Sequence, residues 1–598
     1  MRRWLQRRLP SGWLALAGVP AMAWLVIGPP AGVGVGSPSG PVTLSMVGTT
    51  DLHGQVFESN GHGGLALLGG YLENLRAARA VDGGAVLLFD SGDTWLDGIE
   101  SNLSEGAIVV DAYNALGYTA AAIGNHDFEF GPEDERRFEP GADRRGALKA
   151  RAAQARFPFL AANLLEDGQP VAWPNVRPSV LVDAAGVVVG VIGVMTRDAL
   201  SMTLAANVAA LQTTPLAPAI EREAGRLRHA GAAVVIVAAH AGGYCQSMDD
   251  PSNLESCDDT AEIFDVARAL PPGLVDVIFA GHTHAAVAHT VNGIAIVQAH
   301  ARGRAFSRVD VVMERPGGFT LTNGSPRVAD VRIFPPRELC GREDAAGRCA
   351  IEGASEPARY EGRVVAPQPR IADAMAPALA AVRARQATRL GAELDEPLIR
   401  GQGLDESALA NLFADAMRDA MPGTDAAIGQ ASGPGGLRRD LPAGPASLGP
   451  LYATFPFDNL VVRRTVNGAE LRQLLAAILR RPRWGGRALG VSGLRVQVGC
   501  SGDGYQVGVT RATGAAIADD ERLVVAMSDF MATRAVALTP HTAGPHVGEP
   551  AVQLVDAVAA WLSRRGGRIT AAQFADPARP RWARGADASA GCAATGAP

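Results

Sequence analysis

Five short segments carry oxygen or imidazole donors at the ends of apolar runs. They are "TTDLHGQ" (Asp51, His53), "DSGDTW" (Asp93), "GNHDFEFG" (Asn125, His126), "AAHAGG" (His240) and "FAGHTH" (His282, His284). Five of the eleven histidines fall in these segments, and no thiolate accompanies them. Such a donor set suits a harder divalent cation, Mn, Mg, Fe or Co, and also Zn. In "DLH" and "HTH" the donors stand two apart, so on extended backbone they share a face. Taken singly, each segment reads as well as a capping turn or a satisfied interior histidine. Five together, each ending a strand, read as a metal centre. A carboxylate such as Asp93 can bridge two cations, and a neutral donor such as Asn125 keeps the site positive toward an anion. Two adjacent cations activate water and clamp the oxygens of a phosphoryl group during in-line displacement. His126 is then better used as a proton donor or charge stabiliser than as a ligand. His62, His229, His289, His300, His541 and His546 lie outside the pattern.

The elements that must position these residues are legible in the surrounding sequence. "VTLSMVGTT", "AVLLFDSGD", "YTAAAIGNH", "FPFLAANLL", "VVVGVIGVM", "AAVVIVAAH", "VDVIFAGHTH" and "GIAIVQAH" are strand-like. "GGLALLGGYLENLRAARA", "EGAIVVDAYNALG" and "LAPAIEREAGRLRHAG" have the apolar spacing of helices. Buried strands alternating with helices predict an α/β domain over residues 41–335, with its polar residues at strand ends, where such sheets place their sites. From about Pro316 to Arg363 the chain is rich in Pro, Gly and charge and reads as a connector with surface excursions. The region 336–394 ends in a predicted bridging helix over 371–394. A second domain is expected over 395–580, and a loosely ordered tail over 581–598.

A length of 598 residues calls for two or three domains. A hydrophobic content of 47% with 19% charged residues describes a globular chain. The net charge of −6 argues against a nucleic acid polymer as partner. Lys149 is the only lysine and lies in "GALKA", which excludes a Walker-type phosphate loop. Residues 1–40 open with basic residues, then an apolar run and small residues. They read as an export signal, with no membrane span retained after processing. A periplasmic or extracellular location makes disulfides expected. Cys245–Cys257 and Cys340–Cys349 would each close a short polar loop, and Cys500–Cys592 then follows by elimination.

The order DxH, GD, GNH(D/E), H, GHxH resembles the calcineurin-like dinuclear metallophosphoesterases. "TTDLHGQ", "GNHDFEFG" and "FAGHTH" are similar to the secreted 5′-nucleotidase family. This resemblance implies a four-layer α/β/β/α catalytic domain, followed by a smaller α+β substrate domain. It also implies two divalent ions, one held by Asp51, His53, Asp93 and His284, the other by Asp93, Asn125, His240 and His282. In relatives reading "GNHEFD", an aspartate three residues after the histidine orients it; here Glu129 takes that position and Asp127 stands where glutamate is usual. In the second domain "GGLRRDLPAG" resembles the family's glycine-rich arginine loop, which implies that Arg438 binds substrate. "TFPFDN" and "AMSDFMA" imply that Phe457 and Phe530 stack on a base. Two departures bear on specificity: "ASGPGGLR" replaces "NGGGIR", and "TRAVALTP" replaces the expected "GGDGF". The implied activity is hydrolysis of a small phosphomonoester, first of all a 5′-nucleotide. The alternatives are a cyclic-nucleotide, nucleotide-sugar or other ester hydrolase, or a secreted binding protein that no longer turns over. No oligomeric state is implied.

Overall fold

The computed structural model describes residues 41–59, 61–133, 141–314, 326–345, 347–350, 355–433, 436–457, 459–480, 486–501, 504–536 and 552–585. The expected signal at 1–40, the tail from residue 586 on, His541, His546 and Cys592 lie outside them. Trp582–Arg584, by contrast, expected in the loosely ordered tail, is a strand paired with Val496–Val498, and Trp582 is buried.

In chain order the first domain contains β1 (Val42–Thr49), α1 (Leu65–Asp82), β2 (Ala85–Asp90), α2 (Ala107–Leu116), β3 (Ala120–Ala122), β4 (Phe159–Leu160), β5 (Val176–Arg177), β6 (Ser179–Ala184) and β7 (Val187–Met195). Then follow α3 (Leu216–His229), β8 (Val234–His240), α4 (Glu262–Ala269), β9 (Val277–Ala280), β10 (Ala286–Val291), β11 (Ile294–Ala299), β12 (Ala305–Glu314) and β13 (Arg327–Glu338). One sheet has the order β13-β12-β1-β2-β3-β4-β5 and the other β6-β7-β8-β9-β11-β10. From β1 to β5 the first sheet is parallel. In the second sheet β7, β8, β9 and β11 are parallel. Parallel strands need crossovers, so their carboxyl ends gather at one edge.

Three apolar interfaces stack these elements into four layers. Leu44, Met46, Leu87 and Phe89 of the first sheet pack on Val189, Val191, Ile236 and Phe279 of the second. The outer face of the first sheet is covered by α1 and α2 through Leu68, Tyr71, Leu72, Ile108 and Tyr113. The outer face of the second is covered by α3 and α4 through Ile220, Leu227, Ile263 and Phe264. Strands enclosed on both faces have no polar side to show, which is why β1, β7, β8 and β9 read as nearly unbroken apolar runs.

Two sequence expectations are corrected. The stretch from Pro316 is not only a connector, because β13 within it pairs antiparallel with β12 as an edge strand of the first sheet. Its alternating exposed and half-buried residues, including Pro335 and Pro336, suit an edge and hide the strand from an apolar-run reading. The predicted helix over 371–394 is also too long. Helix α5 (Pro369–Gln386) stops there, and β14 (Arg389–Leu394) follows with strictly alternating burial. Thr388 and Gly391, at φ 72°, favour leaving the helix. Ile371 and Met375 of α5 pack into the first domain's core, whereas Val382 packs with Leu409 and Phe413 of the second. The two domains are therefore rooted on one helix.

The second domain contains α6 (Ala408–Ala420), β15 (Ala426–Ala431), β16 (Leu460–Asn467), α7 (Gly468–Leu479), β17 (Leu489–Ser492), β18 (Arg522–Ser528), α8 (Asp529–Val536), β19 (Val552–Gln553) and α9 (Leu554–Arg565). Its main sheet runs β17-β15-β18-β16-β19. Helix starts are fixed locally. Ser407 caps α6 by accepting from the Ala410 amide, and Asn467 with Glu470 forms a capping box on α7. Cys245–Cys257 and Cys340–Cys349 are bonded as expected. Cys500 is disulfide-bonded as well. Among the described residues no helix is long and apolar enough to cross a membrane.

Candidate metal centre

All seven donors expected from the sequence come from strand ends on one edge of the two facing sheets. Asp51 and His53 follow β1, Asp93 follows β2, and Asn125 follows β3. His240 ends β8, and His282 and His284 follow β9. Asp51, His53 and His284 offer donor atoms within 4.8 Å of one another, and so do Asp93, His240 and His282. Asp93 links the groups: its Oδ2 lies 3.2 Å from His240 Nε2 and 4.0 Å from His53 Nε2. Asn125 Oδ1 lies 3.0 Å from His240 Nε2. Two other groupings of potential donors each include disulfide-bonded cysteines, Cys245 with Cys257 beside His289 and Cys349 beside His62, whose sulfurs are not free thiolates.

The donor chemistry fits cations. His53 Nδ1 lies 2.9 Å from the Leu96 carbonyl, and His240 Nδ1 lies 2.9 Å from the Ser91 carbonyl. In a neutral ring, donation from Nδ1 leaves Nε2 with a lone pair for a cation. Both Nε2 atoms face a further ring nitrogen. His53 Nε2 is 3.0 Å from His284 Nε2, and His240 Nε2 is 3.1 Å from His282 Nδ1. With all four nitrogens presenting lone pairs, a cation between them would satisfy them together. Burial holds the His53 and His282 imidazoles down to about 4, so both keep their lone pairs. Burial would also lower His240, but Asp93 outweighs it and lifts the ring to about 9, so a cation at Nε2 would take the place of a proton there. Burial would raise Asp93, yet His240, His126 and His53 hold its carboxyl well below the usual range.

The turns are forced into unusual backbone to bring these atoms together. Asp51, His53, Asp93, His282 and His284 have φ of 49°, 50°, 56°, 76° and 58°, in the left-handed region that non-glycine residues rarely adopt. Strain of this kind gathers at functional sites and persists only where the surrounding fold dictates it. Gly124, ahead of Asn125, has no room for a side chain: a Cβ there would lie 2.3 Å from Asp93 Oδ1.

His126 stands beside the two groups and belongs to neither. Its amide donates to Asp93 Oδ1 at 2.8 Å, and its ring meets His53 edge-on at 5.2 Å. The longer arm of Glu129 does reach it, with Oε1 2.7 Å from His126 Nδ1. Burial disfavours the imidazolium, but the charges of Glu129 and Asp93 outweigh that and raise His126 to about 10. Glu129→Gln is expected to lower kcat about 10–100-fold while KM stays within about twofold, measured by steady-state hydrolysis of a phosphomonoester, because partners that orient a functional side chain matter at this level.

Several further residues bear on the site without any mark in the sequence pattern. The Asp97 carboxylate, only 6% exposed and at φ 131°, is gripped by an arginine from each domain. Arg302 of the first domain reaches it at 2.8 Å, and Arg438 of the second pairs with its other oxygen. Arg438 also lies over the Phe457 ring at 4.7 Å. Arg400 donates to the Arg438 carbonyl, tying a second guanidinium to that loop. Phe457 and Phe530 flank one edge of the sheet, since Phe457 precedes β16 and Phe530 follows β18, and Val461 pairs with Ser528. Asn459 bonds Asp529 across this edge at 2.9 Å. Asn102 donates to the Pro456 carbonyl at 2.9 Å, so the turn after Asp97 packs on the loop that carries Phe457.

Comparison with known proteins accounts for both halves. The family described as Calcineurin-like phosphoesterase matches residues 44–286, and the 5′-nucleotidase, C-terminal domain family matches residues 387–539. The chain belongs to the 5′-nucleotidase family of calcineurin-like phosphoesterases. It is a metallophosphoesterase, and that family implies divalent metal ions. Protein UshA of Yersinia enterocolitica is 26% identical over 465 residues, which cover 73% of this chain and 76% of that protein. Endonuclease YhcR of Bacillus subtilis is 26% identical over 515 residues, 83% of this chain but only 38% of that protein. The fold is that of a putative 5′-nucleotidase from Staphylococcus aureus, with TM-score 0.60 and 15% identity over 88% of this chain and all of that one. A 5′-nucleotidase precursor from Thermus thermophilus gives TM-score 0.55 and 21% identity over 88% and 97% of the two chains.

Proposed function

We propose that the protein is exported and hydrolyses phosphomonoesters, with 5′-nucleotides as its substrates and nucleoside and phosphate as its products. The observation that supports this best is the meeting of two donor groups at Asp93, with the His126–Glu129 pair alongside. Asp51, His53, Asp93 and His284 would hold one divalent ion, and Asp93, Asn125, His240 and His282 a second, of the class Mn, Zn, Mg, Fe or Co. When bound, such a pair supplies an activated water and neutralises phosphoryl charge. His126 stabilises the charge that develops on the phosphoryl oxygens and protonates the leaving alkoxide, and Glu129 orients it. Arg438 fits a phosphate as a two-pronged donor, and Phe457 and Phe530 offer flat apolar faces to a base. Relatives named 5′-nucleotidase in Diplobatis ommata and Vibrio vulnificus support the substrate class. The basic-then-apolar start of the chain and the disulfides support export.

The test is hydrolysis by purified full-length protein after reconstitution with Mn²⁺, Mg²⁺, Zn²⁺ or Co²⁺. The panel comprises nucleoside monophosphates, cyclic nucleotides, nucleotide sugars and 4-nitrophenyl phosphate. Fastest turnover of a nucleoside monophosphate is expected; preference for another class would overturn the substrate, and no turnover with any metal would make the protein a binder. Arg438→Ala is expected to raise KM for nucleoside monophosphates about 10–100-fold, the worth of hydrogen bonds to a charged group. The kcat/KM for 4-nitrophenyl phosphate should fall by a similar factor, since both substrates present the phosphate that Arg438 would grip, read by comparing kcat/KM for the two substrates.

A further inference from the structure

We propose that Asp127 is the positioning residue of the metal centre: its carboxylate clamps the turn bearing Asp93 to the turn bearing Asn125 and so sets the spacing of the two cation positions. The inference rests on the two-ion reading of the site. Asp127 is 1% exposed, and among the described residues no basic side chain forms an ion pair with it. Three backbone amides satisfy it instead. Oδ1 accepts from Thr94 at 2.8 Å, and Oδ2 accepts from Gly124 at 2.8 Å and from Asp93 itself at 3.2 Å. The Trp95 indole donates to the Asp127 carbonyl at 3.3 Å, adding a fourth tie to the same turn. The link is returned, since Asp93 Oδ1 accepts the His126 amide at 2.8 Å.

The two turns thus exchange hydrogen bonds in both directions, directly behind the residue shared by both donor groups. They are also in contact, because Gly124 leaves no space for even a Cβ beside Asp93. Any change in the reach of the Asp127 carboxylate must therefore move Asp93 relative to Asn125 and His126 together. An asparagine could offer one oxygen but would turn an N–H₂ toward an amide donor, breaking the clamp on one side. A glutamate would keep both acceptors but carry them one methylene further. The chain has a short acid at 127 and a long one at 129, and their reach divides the work between them. The short arm draws the turns together, and the long arm reaches His126.

The experiment compares full-length wild type, Asp127→Asn and Asp127→Glu, all loaded with Mn²⁺. The readouts are metal per chain, the electron paramagnetic resonance signal of the coupled Mn²⁺ pair, kcat and KM on one phosphomonoester, and folding by circular dichroism. Wild type should hold two ions with an exchange-coupled signal. Asp127→Asn should bind metal about 10–100-fold more weakly and lose the coupled signal, the scale on which residues behind metal ligands act. Asp127→Glu should keep two ions, show altered coupling, and lose kcat about tenfold with KM nearly unchanged. A folded Asp127→Asn with wild-type metal affinity and coupling would overturn the proposal. If that variant does not fold, a glutamate variant with wild-type coupling and kcat would overturn it equally. A wild type that binds no metal would instead remove the two-ion reading itself.

Discussion

Asp93→Asn is expected to give a folded protein whose hydrolysis falls by more than about 10,000-fold and which retains neither ion tightly, since two-cation stabilisation of the transition state is worth several kcal/mol and each 1.36 kcal/mol is a factor of ten. Asp93 stands between the donor groups, 3.2 Å from His240 Nε2 and 4.0 Å from His53 Nε2. An amide there offers one neutral oxygen where a carboxylate offers two charged ones, so neither group keeps its shared anion. The fold should survive, because asparagine tolerates the left-handed conformation that Asp93 holds at φ 56°. Elemental analysis of the dialysed variant, beside a phosphate-release assay, checks both halves. Retention of two tightly held ions would show that Asp93 does not bridge.

His126→Asn should behave differently: kcat is expected to fall about 100–10,000-fold, the range of general acid–base and charge stabilisation, while both ions remain. His126 has its Nδ1 engaged by Glu129 at 2.7 Å, and it falls in neither donor group. Its connection to the metal groups runs through the backbone, from its amide to Asp93, and asparagine preserves that amide. Steady-state kinetics with parallel metal analysis distinguishes the two outcomes. Loss of metal on removing this imidazole would reassign His126 as a ligand.

The layers and the donor set were legible because both rest on short-range signals. β1, β7, β8 and β9 are buried on two faces and so appear as apolar runs, and the donors stand immediately after such runs. Where burial alternates, as in β13 and β14, composition misled: one strand read as connector and the other as helix. The contacts of Asp97 were not legible, because its partners come from 205 positions further on in one case and 341 in the other, and no local pattern marks a residue that meets them only after folding. The reach of Glu129 depended on backbone course between His126 and Glu129, a single turn of 3₁₀ helix that the motif alone does not specify. The role of Asp127 was hidden for the same reason, since its partners are amides and leave no trace in residue type.

The left-handed backbone beneath the donors sets the protein's chemistry against its own robustness. His284 occupies such a conformation at φ 58° with a side chain 40% exposed, so glycine there would relieve about 1–2 kcal/mol of steric cost while giving up little buried surface. A lineage freed from turnover and selected only for heat resistance would find some of its readiest improvements at these very turns. Catalysis is what keeps bulky residues in places the chain would otherwise cede to glycine.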